Sequence, residues 1–454
     1  MPLFIYMGKI SIYSFVFLTI FASCRKESAP AFEQSPDERI NTTLAKYQSI
    51  LIGAQNGWIG IVHPAGGGSF SFYFKFNEAN RVVMYSDFDS SSAVISRESS
   101  YRLKALQQPS LIFDTYSYLH LLSDPNENQL VSANINLNKG GFQGIGLQSD
   151  FEFAIDTATA DSIMLIGRQH GTKAVLIRAT QQEATAYENG QLGTSLNELQ
   201  NINKILYYFK RLTLGGKVYD VSLNDNAKTI TFTWIDGNGN VSIFNTTFYY
   251  TISGIAFSTP FNDGSQVITG FDGINWDPNT LTFQVTANNV IGTIAGVNTP
   301  IAVDKQAPAR WWNQAVSNGT YWISLDGFHV NGIDDAYNIK SLKNNTWDYF
   351  FLLYYPRYFS DADLFAPVFS NAARDSIEIF YGTAPDAPTV RSDGRAVFKE
   401  LVLLPGESYP TIGPAAMMRE QLYNGRGYFF VQTSAISYDM VSAADSRIWI
   451  RWEQ

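Results

Sequence analysis

Phe70-Ser71-Phe72-Tyr73-Phe74-Lys75-Phe76, then the turn Asn77-Glu78-Ala79-Asn80, then Arg81-Val82-Val83-Met84-Tyr85, is the stretch that decides the fold. Phe alternates with Ser, Tyr and Lys at a period of two, the spacing of a strand whose successive side chains point to opposite faces. The Asn-bounded turn reverses the chain into a second strand, so the unit reads as an antiparallel hairpin. Working outward, a strand at 59–63 precedes it across Pro64-Ala65-Gly66-Gly67-Gly68. Further strands follow at 100–106, 110–114, 151–155, 162–167 and 173–178. Eight short runs joined mostly by tight turns predict an up-and-down, lipocalin-like barrel or half-barrel, with a sandwich as the competing arrangement. The polar, Gly-rich insertion 126–146 is expected to be a mobile loop at the barrel mouth.

Ser35-Pro36-Asp37-Glu38 ahead of this region is a Ser-x-x-Glu capping box with Pro at the first helical position. Ile40, Leu44, Tyr47 and Leu51 then form one stripe of a helix that ends near Gly53, and the stripe is expected to close one end of the sheet. A second box, Ser195-Leu196-Asn197-Glu198, predicts another helix with Leu199, Ile202, Leu206 and Phe209 on one face. Strands resume at 217–223, 229–234, 242–250, 266–268 and 280–286, so helix followed by meander occurs twice and suggests a duplication. The resulting fold class is mainly β: tandem antiparallel β-meander or barrel-like units with short capping helices, plus a C-terminal β-rich unit. Its segments are a leader (1–23), a tether (24–34), a first helix plus barrel-like domain (35–190), a second helix plus meander (191–300) and an aromatic-rich domain (301–454). Residues 297–308 contain Pro and lack periodicity, and read as a linker.

Composition bounds the function. Aromatic residues are 15% of the 454 residues, charged residues only 16%, and the formal charge is −9. That balance suits pleated, half-buried strands and gives no electrostatic footprint for nucleic acid or for an anionic membrane surface. The one cysteine, Cys24, follows Phe21-Ala22-Ser23 and an apolar run at 10–21 preceded by Lys9. That run is too short to span a bilayer, and the arrangement reads as a lipoprotein leader cleaved before Cys24, which would carry the lipid. The expected address is the outer membrane, lipid-anchored, at the cell surface. With its cysteine committed to lipid, the folded part holds no disulfide and no thiolate site, and no cofactor is expected.

Chemistry-bearing motifs are sparse. His63, His120, His170 and His329 include no pair at metal-ligating helical spacing. There is no nucleophile elbow and no phosphate-binding Gly loop. Asp236-Gly237-Asn238-Gly239-Asn240 lacks the later ligands of a calcium loop and reads as a hairpin turn. Asp334-Asp335, or Asp361 with Asp363, offer carboxylates for a hydrolase, the alternative reading. The positive signal is aromatic density: Trp311, Trp312, Trp322, Trp347, Tyr354 and Tyr355 are the candidate ligand-binding residues, with Tyr349 and Tyr358 in the same stretch. Ring faces beside amides and carboxylates suit a sugar or peptide surface. As a strand, Trp311-Trp312 would present one ring to each face.

Ser35-Pro36-Asp37-Glu38-Arg39-Ile40, Ala54-Gln55-Asn56-Gly57-Trp58 and Glu98-Ser99-Ser100-Tyr101-Arg102-Leu103 also resemble an uncharacterised lipoprotein family of Bacteroidota, as does the run Pro109-Ser110-Leu111-Ile112-Phe113-Asp114. The resemblance spans roughly residues 30–290. It implies association with nutrient importers of the starch-utilisation type, which pair a TonB-dependent channel with a surface lipoprotein. It transfers no active-site residue. The expected function is therefore non-catalytic: binding a polymeric nutrient, glycan or peptide, or assisting the importer. A purely structural importer subunit is a further alternative.

Overall fold

The computed structural model describes residues 35–126 and 144–454. The leader, the tether with Cys24, and most of the 126–146 insertion lie outside the described residues.

Helix α1 (Pro36–Gly53) starts where its capping box places it, with Glu38 N–H donating to Ser35 Oγ and the Glu38 carboxylate accepting the Ser35 amide. Only its C-terminal part is pinned. Leu51 is buried in the first core and its carbonyl accepts Trp58 Nε1–H, whereas Ile40 stays exposed.

Strands β1 (Trp58–His63), β2 (Phe70–Phe76), β3 (Arg81–Ser86), β4 (Arg97–Ala105), β5 (Pro109–Phe113), β6 (Glu152–Ala158), β7 (Ser162–Gly167) and β8 (Lys173–Arg178) form one antiparallel meander. It closes because Trp58 of β1 faces Phe74 of β2 on one side and Arg178 of β8 on the other. The turn after β2 is set by Asn77, whose Oδ1 accepts the Ala79 and Arg81 amides, and by Asn80 in the left-handed region at φ 55°. Phe70, Phe72, Phe74 and Phe76 point inward and fill the barrel. Burying each such ring contributes on the order of 1.5–3 kcal/mol. The alternate residues Ser71 and Tyr73 are also buried, Ser71 against a second barrel and Tyr73 in a stack with Tyr187 at 5.0 Å.

That second barrel follows two helices, α2 (Gln181–Glu188) and α3 (Gln191–Gln200). The expected helix start at Ser195 is corrected here: Ser195 is buried inside α3. The working capping box is Thr180 with Glu183, and Gly190, at φ 76°, separates the two helices. Phe209, read as helical, instead opens β9 (Phe209–Leu214). Then come β10 (Lys217–Asn224), β11 (Thr229–Ile235), β12 (Val241–Thr251), β13 (Gly254–Asn262), β14 (Val267–Asp277), β15 (Thr282–Ala287) and β16 (Val290–Val297), and β16 closes on β9. The chain thus contains two closed eight-stranded barrels in tandem.

The barrels meet along β2 and β12. Ser71 Oγ–H donates to Tyr250 O at 2.6 Å, and Ser69 and Ser258 hydroxyls lie 2.6 Å apart. At the centre the fully buried Asp87 takes the Tyr250 amide at 2.9 Å and pairs with Lys228 at 2.8 Å. The Lys228 ammonium also sits 4.5 Å from the centre of the Phe70 ring.

Helix α4 (Ala307–Asn318) opens the C-terminal unit, taking over the last two residues of the expected linker and correcting the strand reading of Trp311-Trp312. Pro308 lies in the first turn, where its missing N–H costs nothing, and Gly319 at φ 60° ends the helix in the left-handed conformation. The strands are β17 (Trp322–Ser324), β18 (Phe328–Val330), β19 (Lys343–Asn344), β20 (Trp347–Tyr355), β21 (Leu364–Ser370), β22 (Ile377–Glu378), β23 (Thr383–Pro385), β24 (Thr389–Val390), β25 (Ala396–Val397), β26 (Glu400–Leu403), β27 (Tyr428–Ser434), β28 (Ser437–Ser442) and β29 (Ile448–Glu453), with helix α5 (Gly413–Leu422) between β26 and β27. The main path of this sheet runs β24-β25-β27-β28-β29-β17-β20-β21-β23-β26. Among the described residues no helix is long and apolar enough to cross a membrane.

Candidate functional site

A shift in strand register sets the site. The pairing of β20 with β21 slips between Tyr349 and Phe351. Beyond the slip, Leu352 and Tyr354 turn into the core beneath α4, while Phe351, Leu353 and Tyr355 turn to the opposite face. Leu364, Ala366 and Val368 of β21 join that face, as the period of two requires. Phe351, Leu353, Leu364 and Val368 floor a groove of about 470 Å³. Tyr321, Tyr355, Tyr358 and Phe359 form its aromatic wall, and Ile377 to Ile379 with Leu404 and Pro405 line the remainder. The wall is a chain of edge and tilted contacts: Tyr321 to Tyr355 at 5.5 Å, Tyr355 to Tyr358 at 5.4 Å, Tyr358 to Phe359 at 4.9 Å. Tyr358 is 50% exposed, so its ring has a free side. Among the lining residues only Glu378 is charged.

The loop carrying Tyr358 and Phe359 is held from below by one carboxylate. Asp363, 1% exposed, accepts Trp312 Nε1–H at 2.8 Å, Tyr354 O–H at 2.7 Å and the Arg357 amide at 2.8 Å. The Arg357 guanidinium lies 5.1 Å from the centre of the Trp312 ring. Burial raises the Asp363 carboxyl above its ordinary value of 3.8 although these donors pull it down, and burial with Asp363 holds the Tyr354 phenol well above its own. The folded protein therefore keeps the Asp363 proton more tightly than the unfolded chain does. This contribution is full below the ordinary value and is lost as pH rises through the elevated one. The urea midpoint of the wild type should accordingly fall relative to that of Asp363→Asn as pH rises from about 4 to 7. A flat or rising difference would remove this assignment.

Of the candidate residues, Tyr355 lines the groove directly. Trp312 and Tyr354 serve it through Asp363. Trp311, Trp322 and Tyr354 are fully buried, and this corrects the expectation that their rings face a ligand. Trp311 and Trp312 differ because they stand on a helix, where neighbours are about 100° apart, so one enters the core and the other reaches its edge. Trp347 packs edge-on against Phe380 at 5.9 Å, away from the groove. Tyr321, Phe351, Phe359 and Leu404 escaped the sequence reading. The alternation of 351–355 and 364–368 carried the signal, but it does not say which face is the covered one.

Of the candidate carboxylates, Asp334, Asp335 and Asp363 have structural partners. Asp335 accepts the Ile339 and Lys340 amides, and Asp334 pairs with His329 at 2.7 Å. Asp236 accepts the Asn238 and Asn240 amides, the geometry of a hairpin turn. His120 has both nitrogens on backbone, Nδ1 accepting the Ser117 amide and Nε2 at 3.2 Å from Phe113 O, and burial lowers its pKa. Among the described residues no three His, Cys, Asp or Glu side chains converge as a metal site would require.

A larger cleft of about 1090 Å³ separates the second barrel from the C-terminal sheet. Its polar groups are largely spent on one another: Arg451 with Asp439 at 2.8 Å, Arg211 with Asp220 at 2.9 Å, and Tyr208 O–H on Asp439. The ring of Trp449 is stacked by His329 at 4.6 Å. This cleft lies where one unit seats on another.

No curated protein matches the chain. Among solved structures, a protein of unknown function of the DUF3598 family from Nostoc punctiforme aligns at 9% identity over 73% of this chain and 95% of its own, with a TM-score of 0.14. A DNA polymerase III β sliding clamp from Bartonella birtlesii aligns at 8% identity over 56% of this chain and 97% of its own, with a TM-score of 0.08. The family model DUF4302, a domain of unknown function, matches residues 28–278. That match starts ahead of α1, spans the first barrel and ends just past β14, and the groove lies outside it. By a match over more than half of its length, the chain belongs to the DUF4302 family of domains of unknown function.

Proposed function

We propose that this protein is a non-catalytic capture protein that binds a polymeric nutrient, glycan or peptide, in the aromatic groove of its C-terminal unit. The observation that carries the reading is a groove of about 470 Å³ with a partly exposed aromatic wall, an apolar floor and Glu378 as its one charged lining residue. Such a surface is built for stacking and apolar contact with little demand for charge. In this reading lipid on Cys24 holds the protein at the outer membrane, facing outward, beside a TonB-dependent importer of the kind found in Bacteroidota. The two barrels act as the stalk that presents the groove.

Calorimetric titration against a panel of glycans and peptides tests the binding half. Tyr355→Ala and Tyr358→Ala should each weaken the bound member about tenfold, the value of one lost ring contact of roughly 1.4 kcal/mol. Unchanged affinity in both variants would move the ligand elsewhere. Affinity purification from solubilised outer membrane tests the other half: a large TonB-dependent channel should co-purify, and recovery of the protein alone would count against the importer.

A further inference from the structure

We infer that the groove takes its ligand as a β-strand: an extended, uncharged to basic polypeptide segment that pairs with the free edge of β26 and drops alternate side chains into the groove. This rests on the groove being the ligand site and narrows that ligand to polypeptide. Strand β26 ends the sheet path, with β23 on one side. The Leu404 amide donates to Gly382 O on that side. By the alternation of an antiparallel ladder the Val402 amide points the same way and that of Leu403 points outward, while the pairing slips at Leu401.

An apolar edge is a liability that proteins usually blunt with lysine, proline or a covering loop, and the four-residue β26 has Lys399 before it and Pro405 just beyond it. Here Leu401-Val402-Leu403-Leu404 carries neither Lys nor Pro, and Leu401, Val402 and Leu403 are 47%, 60% and 39% exposed. The opposite end of the path, β24, is only Thr389–Val390. Backbone groups along such an edge are satisfied in full by another extended polypeptide, since a strand alone repeats donors and acceptors at their spacing. The pocket for its side chains adjoins directly, because Leu404 and Pro405 continue β26 into the groove lining. Charge narrows the occupant further. Glu378 lines the groove, so an acidic segment would be repelled, whereas Glu400 at the start of the strand is already paired with Arg419 at 2.6 Å.

Selection of a random dodecapeptide library on the full chain tests this. Sequences with alternating apolar residues and few acids should be enriched. Synthetic copies should slow hydrogen exchange at the Leu403 amide. Leu403→Pro, which removes an outward donor, should weaken them at least tenfold, and so should N-methylation of alternate peptide amides, which leaves the protein untouched. Peptides that bind equally well when N-methylated overturn strand pairing and leave the groove reading standing. A panel that yields glycan binding sensitive to Tyr358→Ala, with no peptide enriched, does the same. Dimerisation abolished by Leu403→Pro would assign the edge to a second copy and overturn the inference. If neither peptide nor glycan binding responds to Tyr358→Ala, the groove reading fails with it.

Discussion

Asp87→Ala is expected to destabilise the protein by about 3–5 kcal/mol, the usual cost of leaving one member of a buried ion pair alone. Lys228 is 4% exposed, its ammonium lies 2.8 Å from Asp87, and burial lowers its pKa while Asp87 acts in the opposite direction. Removing the carboxylate also strips the Tyr250 amide of its acceptor. The loss falls on the contact between the barrels, so both should respond together. A urea titration followed by far-UV circular dichroism reads it as a shift of the main midpoint. The paired replacement Asp87→Leu with Lys228→Met should recover most of the loss, because apolar groups of similar volume need no partner. A midpoint within about 0.5 kcal/mol of wild type in the single variant would mean that water reaches Lys228.

The second large effect belongs to Trp311→Ala, at about 3–5 kcal/mol, the range for truncating a buried aromatic side chain. Trp322, Tyr354, Phe398, Phe430 and Trp452 surround this ring at centroid distances of 4.8 to 6.3 Å. Its carbonyl also accepts Trp322 Nε1–H at 3.0 Å. Near-UV circular dichroism should lose the coupled tryptophan signal, and the C-terminal unit should unfold at lower denaturant. Tyr358→Ala, half-exposed at the groove, should instead change stability by under about 0.5 kcal/mol and act on binding. The contrast separates an aromatic residue that holds the fold from one that the proposed function places against the ligand. Equal stability losses in the two variants would contradict the burial that distinguishes them.

The first barrel was legible because its strands alternate cleanly and its turns carry Asn and Gly, so all eight runs stood out. The second was read only in part. Strand β13 contains Pro260, which has no amide to give, and its pairing with β14 slips between Ala256 and Phe261. Strand β16 contains Gly292 and Gly296, which hide its alternation. A side chain at Gly296 would run into the Tyr207 ring at 2.2 Å, a requirement that arises only once the strand is placed. Helix α4 is hidden because residues 297–308 contain Pro and lack periodicity, whereas Pro308 stands in its first turn.

The candidate site shows the same division. Aromatic density after residue 310 was visible, and Tyr355 and Tyr358 do face the groove. Trp311, Trp322 and Tyr354 could not be told from them by composition, because a ring in a core and a ring on a binding face have the same chemistry.

Local order was thus determined largely by the sequence itself: alternation gives strands, the Ser35 capping box gives the first helix start, Asn and Gly give reversals, since each depends on neighbours a few residues away. Closure of β1 on β8 and of β16 on β9, the burial of Asp87 against Lys228 across 141 residues of chain, and the turn of Tyr355 outward while Tyr354 goes in were decided only by tertiary structure. Each depends on which distant strand supplies the partner, and a side chain's face is fixed by that pairing and its slips.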